Sequence, residues 1–124
     1  DDSDYSLEYT ALRETFEEIG IQNKQIEVLG KLSHLYIPVS NFLVFPYVGI
    51  LKQKPHFIKE EKEVERIIET PLNLLLDNKN IIQKTISLPK KNIVFKSPAY
   101  KVQDIEIWGA TAMILSEFLE IVKE

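Results

Sequence analysis

The sequence predicts a mixed α/β fold, a mixed sheet with one helix at each end of the chain. Three observations carry that expectation. Residues 6–19 contain no Gly or Pro, and Gly20 follows them, where a helix ends on a left-handed cap. The middle of the chain is a succession of β-branched and aromatic runs separated by turn residues. Residues 111–122 then close the chain as a second amphipathic stretch, with Ala112, Ile114, Leu115, Phe118, Leu119 and Val122 on one face. The sum is an α+β arrangement or an α/β sandwich.

The elements follow in order. The first helix has Asp4 or Ser6 as its N-terminal cap. Residues 26–32 read as a strand. Residues 42–52, nearly continuous in apolar side chains, read as the strongest strand, with a bulge or an edge at Pro46. Residues 63–68 read as a strand leading into a short helix over 71–77, opened by Thr70 and Pro71. Residues 82–88 and 93–95 flank Pro89, Lys90, Lys91 and Asn92, a hairpin turn. Residues 104–108 form a last short strand.

Length and composition bound the function. The 124 residues fit a single domain at roughly 100–200 residues per domain. With 44% hydrophobic and 27% charged residues, the chain buries a core. A formal charge of −4 argues against a dedicated nucleic-acid binder. The absence of cysteine excludes disulfides, thiolate nucleophiles and Cys-based zinc sites. No apolar run approaches the ~20 residues that span a bilayer. A soluble protein of a reducing compartment, the cytoplasm, is expected.

The informative segment is Arg13-Glu14-Thr15-Phe16-Glu17-Glu18-Ile19-Gly20. On a helix Glu14, Glu17 and Glu18 fall within about 100° of one another. Leu12, Phe16 and Ile19 cluster on the other side as an anchor expected to be buried, and Thr10, Ala11 and Thr15 leave room beside the acidic face. Like charges at these spacings repel. A cluster of hard oxygen ligands suits Mg²⁺ or Mn²⁺, whose binding removes that repulsion. A solvated acidic face is the competing reading, and is common on helices.

Beyond spacing, Arg13-Glu14-x-x-Glu17-Glu18-x-Gly20-Ile21 resembles the second half of the Nudix box, Gly-x5-Glu-x7-Arg-Glu-U-x-Glu-Glu-x-Gly-U, with U a bulky aliphatic residue. Thr15 departs from it, standing where an aliphatic residue is usual. The sequence begins inside the motif, so the expectation is a single Nudix hydrolase domain over residues 1–124, truncated at its N-terminus. Asp4 stands one position further from Arg13 than the general pattern has its acidic residue. That offset resembles the coenzyme A pyrophosphatase branch. The segment from Tyr36 to Gly49, Glu63-Val64 with Pro71-Leu72 and Leu75-Leu76-Asp77, and Ile107-Trp108-Gly109-Ala110-Thr111-Ala112 are also similar to that branch.

The resemblance implies an α/β/α sandwich around a mixed sheet, and Mg²⁺- or Mn²⁺-dependent hydrolysis of coenzyme A or a derivative to 3′,5′-ADP and 4′-phosphopantetheine. Other nucleoside diphosphate derivatives, or a nucleotide-binding domain without hydrolysis, are the alternatives. The retained Glu14, Glu17 and Glu18 weigh against the last. These three carry over as metal ligands. Arg13 carries over as the residue that orients a carboxylate, and Glu63 is a candidate general base beside Glu65 and the helix glutamates. The expected partner is a small-molecule nucleoside diphosphate, not nucleic acid or membrane, and a homodimer is left open. His34 and His56 read as surface residues and Trp108 as core or pocket wall. Tyr36, Asn41 and Phe42 are candidates to line a nucleotide site.

Overall fold

A computed structural model describes residues 2–123, with side chains described from residue 7. The expected caps Asp4 and Ser6, and the motif role given to Asp4, fall on side chains outside the described residues. The chain divides into two compact units, one ending at Ile68 and the other beginning at Glu69.

The first unit opens with helix α1, Asp2–Ile19, which starts earlier than the sequence suggests because no Gly or Pro interrupts residues 2–5. It ends as expected. Gly20 has φ +79°, and its amide donates to the Phe16 carbonyl at 2.9 Å. After a short 3₁₀ turn come β1 (Ile26–Lys31), β2 (Leu35–Ile37), β3 (Phe42–Val44) and β4 (Tyr47–Leu51). β1 pairs antiparallel with β4, with a bulge between Val28 and Gly30 that leaves Leu29 exposed. β2 and β3 form a small antiparallel hairpin. Its turn is closed by the Asn41 amide on the Ile37 carbonyl and by the Tyr36 hydroxyl on Asn41 Oδ1 at 2.6 Å.

Two expectations change here. The run 42–52 is two strands, because Pro46 has no N–H to give a ladder, although its carbonyl accepts from the Leu32 amide. Residues 63–68 form no strand. The amides of Glu63 and Val64 both turn back onto the Glu60 carbonyl. The half-buried Val64 and Ile67 stand three residues apart, which is not the strand period of two.

The face of α1 that meets β1 and β4 is also displaced from expectation. Glu8, Ala11, Leu12 and Thr15 surround a cavity of about 210 Å³ together with Ile21, Ile26, Val28 and Tyr47–Leu51 residues Tyr47, Val48, Gly49 and Leu51. These positions follow the spacing of one helical stripe. Phe16, expected as an anchor, lies outside that stripe and is 49% exposed. The helix turns its small residues, Ala11 and Thr15, toward the strands instead. The Thr15 hydroxyl is satisfied by the Ala11 carbonyl at 2.8 Å, which lets a polar residue occupy a half-buried position.

The second unit holds α2 (Leu72–Leu76), β5 (Ile81–Leu88), β6 (Ile93–Val102), β7 (Ile105–Ile107) and α3 (Gly109–Val122). The three strands form an antiparallel meander. β5 and β6 are joined by the expected turn, with Asn92 left-handed at φ +53°. Gln103 and Asp104, at φ +51° and +64°, make the two-residue turn into β7. Pro98 is tolerated because the pairing of β6 with β7 begins only at Tyr100. Leu75, Tyr100, Val102, Ala112 and Leu119 are buried together, with Leu115, Phe118 and Ile107 packed against them. Val122, expected on the buried face of α3, is exposed. Trp108 is 50% exposed, not core; Lys84 Nζ lies 5.3 Å from its ring centroid and 2.7 Å from Glu106. That hydrogen bond from Lys84, then its charge, holds the Glu106 carboxyl below its ordinary pKa. The mixed helix-and-strand class therefore stands, with every strand pair among the described residues antiparallel.

The stripe assignment yields a test. Because Phe16 is half exposed, Phe16→Ala should cost well under the ~3–5 kcal/mol of a buried Phe truncation. Leu12→Ala, on the packed stripe, should lower the melting temperature more. The two melting curves, compared with that of the unsubstituted protein, decide the helix orientation; the reverse ranking would reject it.

Candidate functional site

The site grows from the end of α1. The last carbonyls of a helix have no partner within it. Here two are satisfied by a loop distant in sequence: the Ile58 amide donates to the Ile19 carbonyl and the Glu60 amide to the Glu18 carbonyl, both at 2.9 Å. The loop comes this close because residue 20 is glycine. A Cβ there would lie 2.7 Å from Ile58 Cβ and 3.1 Å from its nitrogen. Gly20 thus serves twice, once for its left-handed backbone and once for the approach of the loop.

The docked loop then turns. The amides of Glu63 and Val64 close on the Glu60 carbonyl, and the Lys62 amide donates to Glu60 Oε1 at 2.9 Å. Lys59 Nζ braces the turn from the Glu65 carbonyl at 2.6 Å. The outcome is a recess of about 380 Å³ lined by Glu14, Glu17 and Glu18 from the helix and by Glu60, Lys62 and Glu63 from the loop.

The structure therefore brings together Glu14, Glu17, Glu18 and Glu63, which the sequence singles out separately. It adds Glu60 and Lys62, which the sequence alone does not single out. The only signal for them is indirect: the glycine at position 20 permits an approach, but does not say which segment makes it. Arg13 borders the cluster. Its Nη1 donates to both carboxylate oxygens of Glu17, at 3.1 and 3.0 Å, across one helical turn. Both side chains are about half exposed, so the pair orients Glu17 more than it stabilises the fold. Glu65 is exposed outside the recess. Tyr36, Asn41 and Phe42 sit on the β2–β3 hairpin, all exposed.

Five carboxylates around one recess form a donor set of hard oxygens, the chemistry that Mg²⁺ and Mn²⁺ take. Among the described residues no three such groups converge closely enough to hold a metal ion. Glu14, Glu17, Glu18 and Glu63 are exposed, and their outer torsions turn without moving the backbone. The donors suit a divalent cation in kind, as hard oxygens lining one recess.

Comparison with known proteins bears on the same segment. The family described as NUDIX domain matches residues 1–87. The protein called "Uncharacterized Nudix hydrolase NudL" in Photorhabdus laumondii is 32% identical over 125 residues, covering 99% of this chain and 64% of its own length. The protein of that name in Pectobacterium atrosepticum is 34% identical over 122 residues, covering 94% of this chain and 59% of its own. That of Citrobacter koseri is 41% identical over 73 residues, 59% of this chain and 38% of its own. The chain thus spans roughly three-fifths of the first two relatives.

The dependence of the recess on Gly20 is testable. In Gly20→Ala the left-handed backbone alone costs about 1–2 kcal/mol, and the new methyl meets Ile58. The amides of Ile58 and Glu60 should lose protection from hydrogen exchange by tenfold or more, while amides in the middle of α1 keep theirs. Unchanged protection at Ile58 and Glu60 would show that the loop docks by other means.

Proposed function

The chain belongs to the Nudix family, and we propose that it is part of an Mg²⁺- or Mn²⁺-dependent enzyme that hydrolyses the diphosphate of coenzyme A or its derivatives to 3′,5′-ADP and 4′-phosphopantetheine. The observation that carries the proposal is the grouping of Glu14, Glu17 and Glu18 with Glu60 and Glu63 around one recess. Glu14, Glu17 and Glu18 are the residues that would hold the cation. Once bound, a divalent ion neutralises phosphate oxygens and lowers the pKa of an attacking water.

The remaining work falls to side chains of the chain itself. Carboxylates packed this closely repel a diphosphate, so the recess accepts it only when the negative charge is compensated. Lys62 is the one cationic side chain lining the recess among the described residues, and as a flexible point charge it suits contact with a phosphate oxygen. Arg13 keeps Glu17 turned along the helix surface. Glu63, on the docked loop, is the proposed general base: it takes a proton from water as the water oxygen attacks phosphorus and the phosphoanhydride bond breaks.

Support for the hydrolase reading comes from the relatives, which are named Nudix hydrolases. Support for coenzyme A comes from the Asp4 offset, the Tyr36-to-Gly49 segment and the start of α3, which resemble that branch. The relatives' name carries no substrate. A nucleotide sugar or a dinucleotide is accordingly the competing substrate class.

Two measurements on the complete protein test this. Glu18→Gln should lower the metal-dependent turnover number by orders of magnitude with an unchanged melting temperature; near-normal activity in the folded variant would remove Glu18 from the site. Under identical metal conditions kcat/KM should be highest for coenzyme A among coenzyme A, ADP-ribose, a diadenosine polyphosphate and NADH. A tenfold preference for any other, ~1.4 kcal/mol in transition-state binding, would reject coenzyme A.

A further inference from the structure

Charge is segregated along the chain. Between Asn78 and Gln103 there are six lysines, Lys79, Lys84, Lys90, Lys91, Lys96 and Lys101, and no Asp or Glu, in a protein whose formal charge is −4. This segment is the β5–β6 hairpin with the turns at either end. Two of the lysines have partners or neighbours at the base: Lys84 bonds Glu106, and Lys101 lies near the same carboxylate. Lys90, Lys91 and Lys96, toward the far end, form no ion pair among the described residues.

The far end is also apolar. Residues 89–96 are all exposed, on both faces of the ladder. Ile93, Val94 and Phe95 are 43%, 70% and 44% exposed. Consecutive strand residues point to opposite faces. Such a run cannot be hidden by turning one face inward, and no element of the second unit covers it. The base of the same strand is different, with Ala99, Tyr100 and Val102 buried. The hairpin thus projects a tip in which lysines surround bulky apolar side chains.

From this arrangement we propose that the tip of the β5–β6 hairpin docks on an anionic lipid membrane surface, with Ile93, Val94 and Phe95 entering the headgroup boundary and Lys90, Lys91 and Lys96 meeting lipid phosphates. Lysines beside an anionic leaflet are attracted within a Debye length, and apolar residues at the boundary add their burial. No helix among the described residues is long and apolar enough to cross a membrane, so this contact is peripheral. Other occupants fit less well. Single-stranded nucleic acid is held by stacking on aromatic and arginine planes, whereas this tip offers lysines, two aliphatic residues and one phenylalanine. A second copy of the chain needs about 800 Å² from each partner for a stable interface, more than the few residues of a hairpin tip supply.

The test is co-sedimentation of the complete protein with phosphatidylcholine vesicles, with and without about one-third phosphatidylserine. Binding should require phosphatidylserine and fall steeply as salt rises. Lys90→Glu with Lys91→Glu should weaken it at least tenfold, and Val94→Asp should weaken it separately, with melting temperature and diphosphatase activity unchanged in both. Lack of binding to phosphatidylserine vesicles, equal binding to both vesicle types, or full binding by the double variant would overturn the proposal. So would tighter binding of a single-stranded oligonucleotide than of phosphatidylserine vesicles by the same hairpin.

Discussion

The candidate site depends on how one helix ends. Helix α1 carries three glutamates in its last two turns, and its final carbonyls need donors. Those donors are the amides of Ile58 and Glu60, which reach the helix only because Gly20 has no side chain and holds a left-handed backbone. Chain geometry and site chemistry are therefore linked. The bonds that complete the helix also set Glu60, Lys62 and Glu63 beside Glu14, Glu17 and Glu18. Like-charged side chains do not gather by their own attraction; here backbone hydrogen bonds gather them, and a bound cation would offset their repulsion.

The orientation of the helix follows a different constraint. Ala11 and Thr15 are the small residues that α1 turns toward the cavity it shares with β1 and β4. Within the strand pair Gly49 gives room to β1, since a Cβ there would come within 2.6 Å of Ile26 Cγ2. Thr15 stands where the family pattern has an aliphatic residue, and its hydroxyl is absorbed by the helix's own backbone. The displaced residue is Phe16. Hydrophobicity alone marks it as an anchor, yet the packed stripe runs through Glu8, Ala11, Leu12 and Thr15, and Phe16 stays half exposed.

Charge is distributed with similar specificity. The end of α1 and its docked loop hold five glutamates and one lysine around a single recess. The β5–β6 hairpin holds the lysines without any acid. A net charge of −4 conceals both, because it averages an acidic site suited to cations with a basic tip suited to anions.

Much was legible in the sequence alone. The helix up to Gly20, the turn at Pro89–Lys91 and Asn92, the terminal helix and the carboxylate triplet are local features, fixed by backbone preferences and by spacing along one element. Those preferences act between residues a few positions apart, so a single sequence displays them. The family resemblance also rests on such a contiguous motif. Tertiary structure decided the rest. It divided residues 42–52 at Pro46, withheld a strand from residues 63–68, exposed Phe16 and Trp108, and drew Glu60 and Lys62 into the recess. Each of these depends on partners distant in the chain: which amide finds the end of α1, and which side chains face a strand pair. Amphipathic periodicity says that a helix has an inner face, but the neighbour that packs against it selects which residues that face contains.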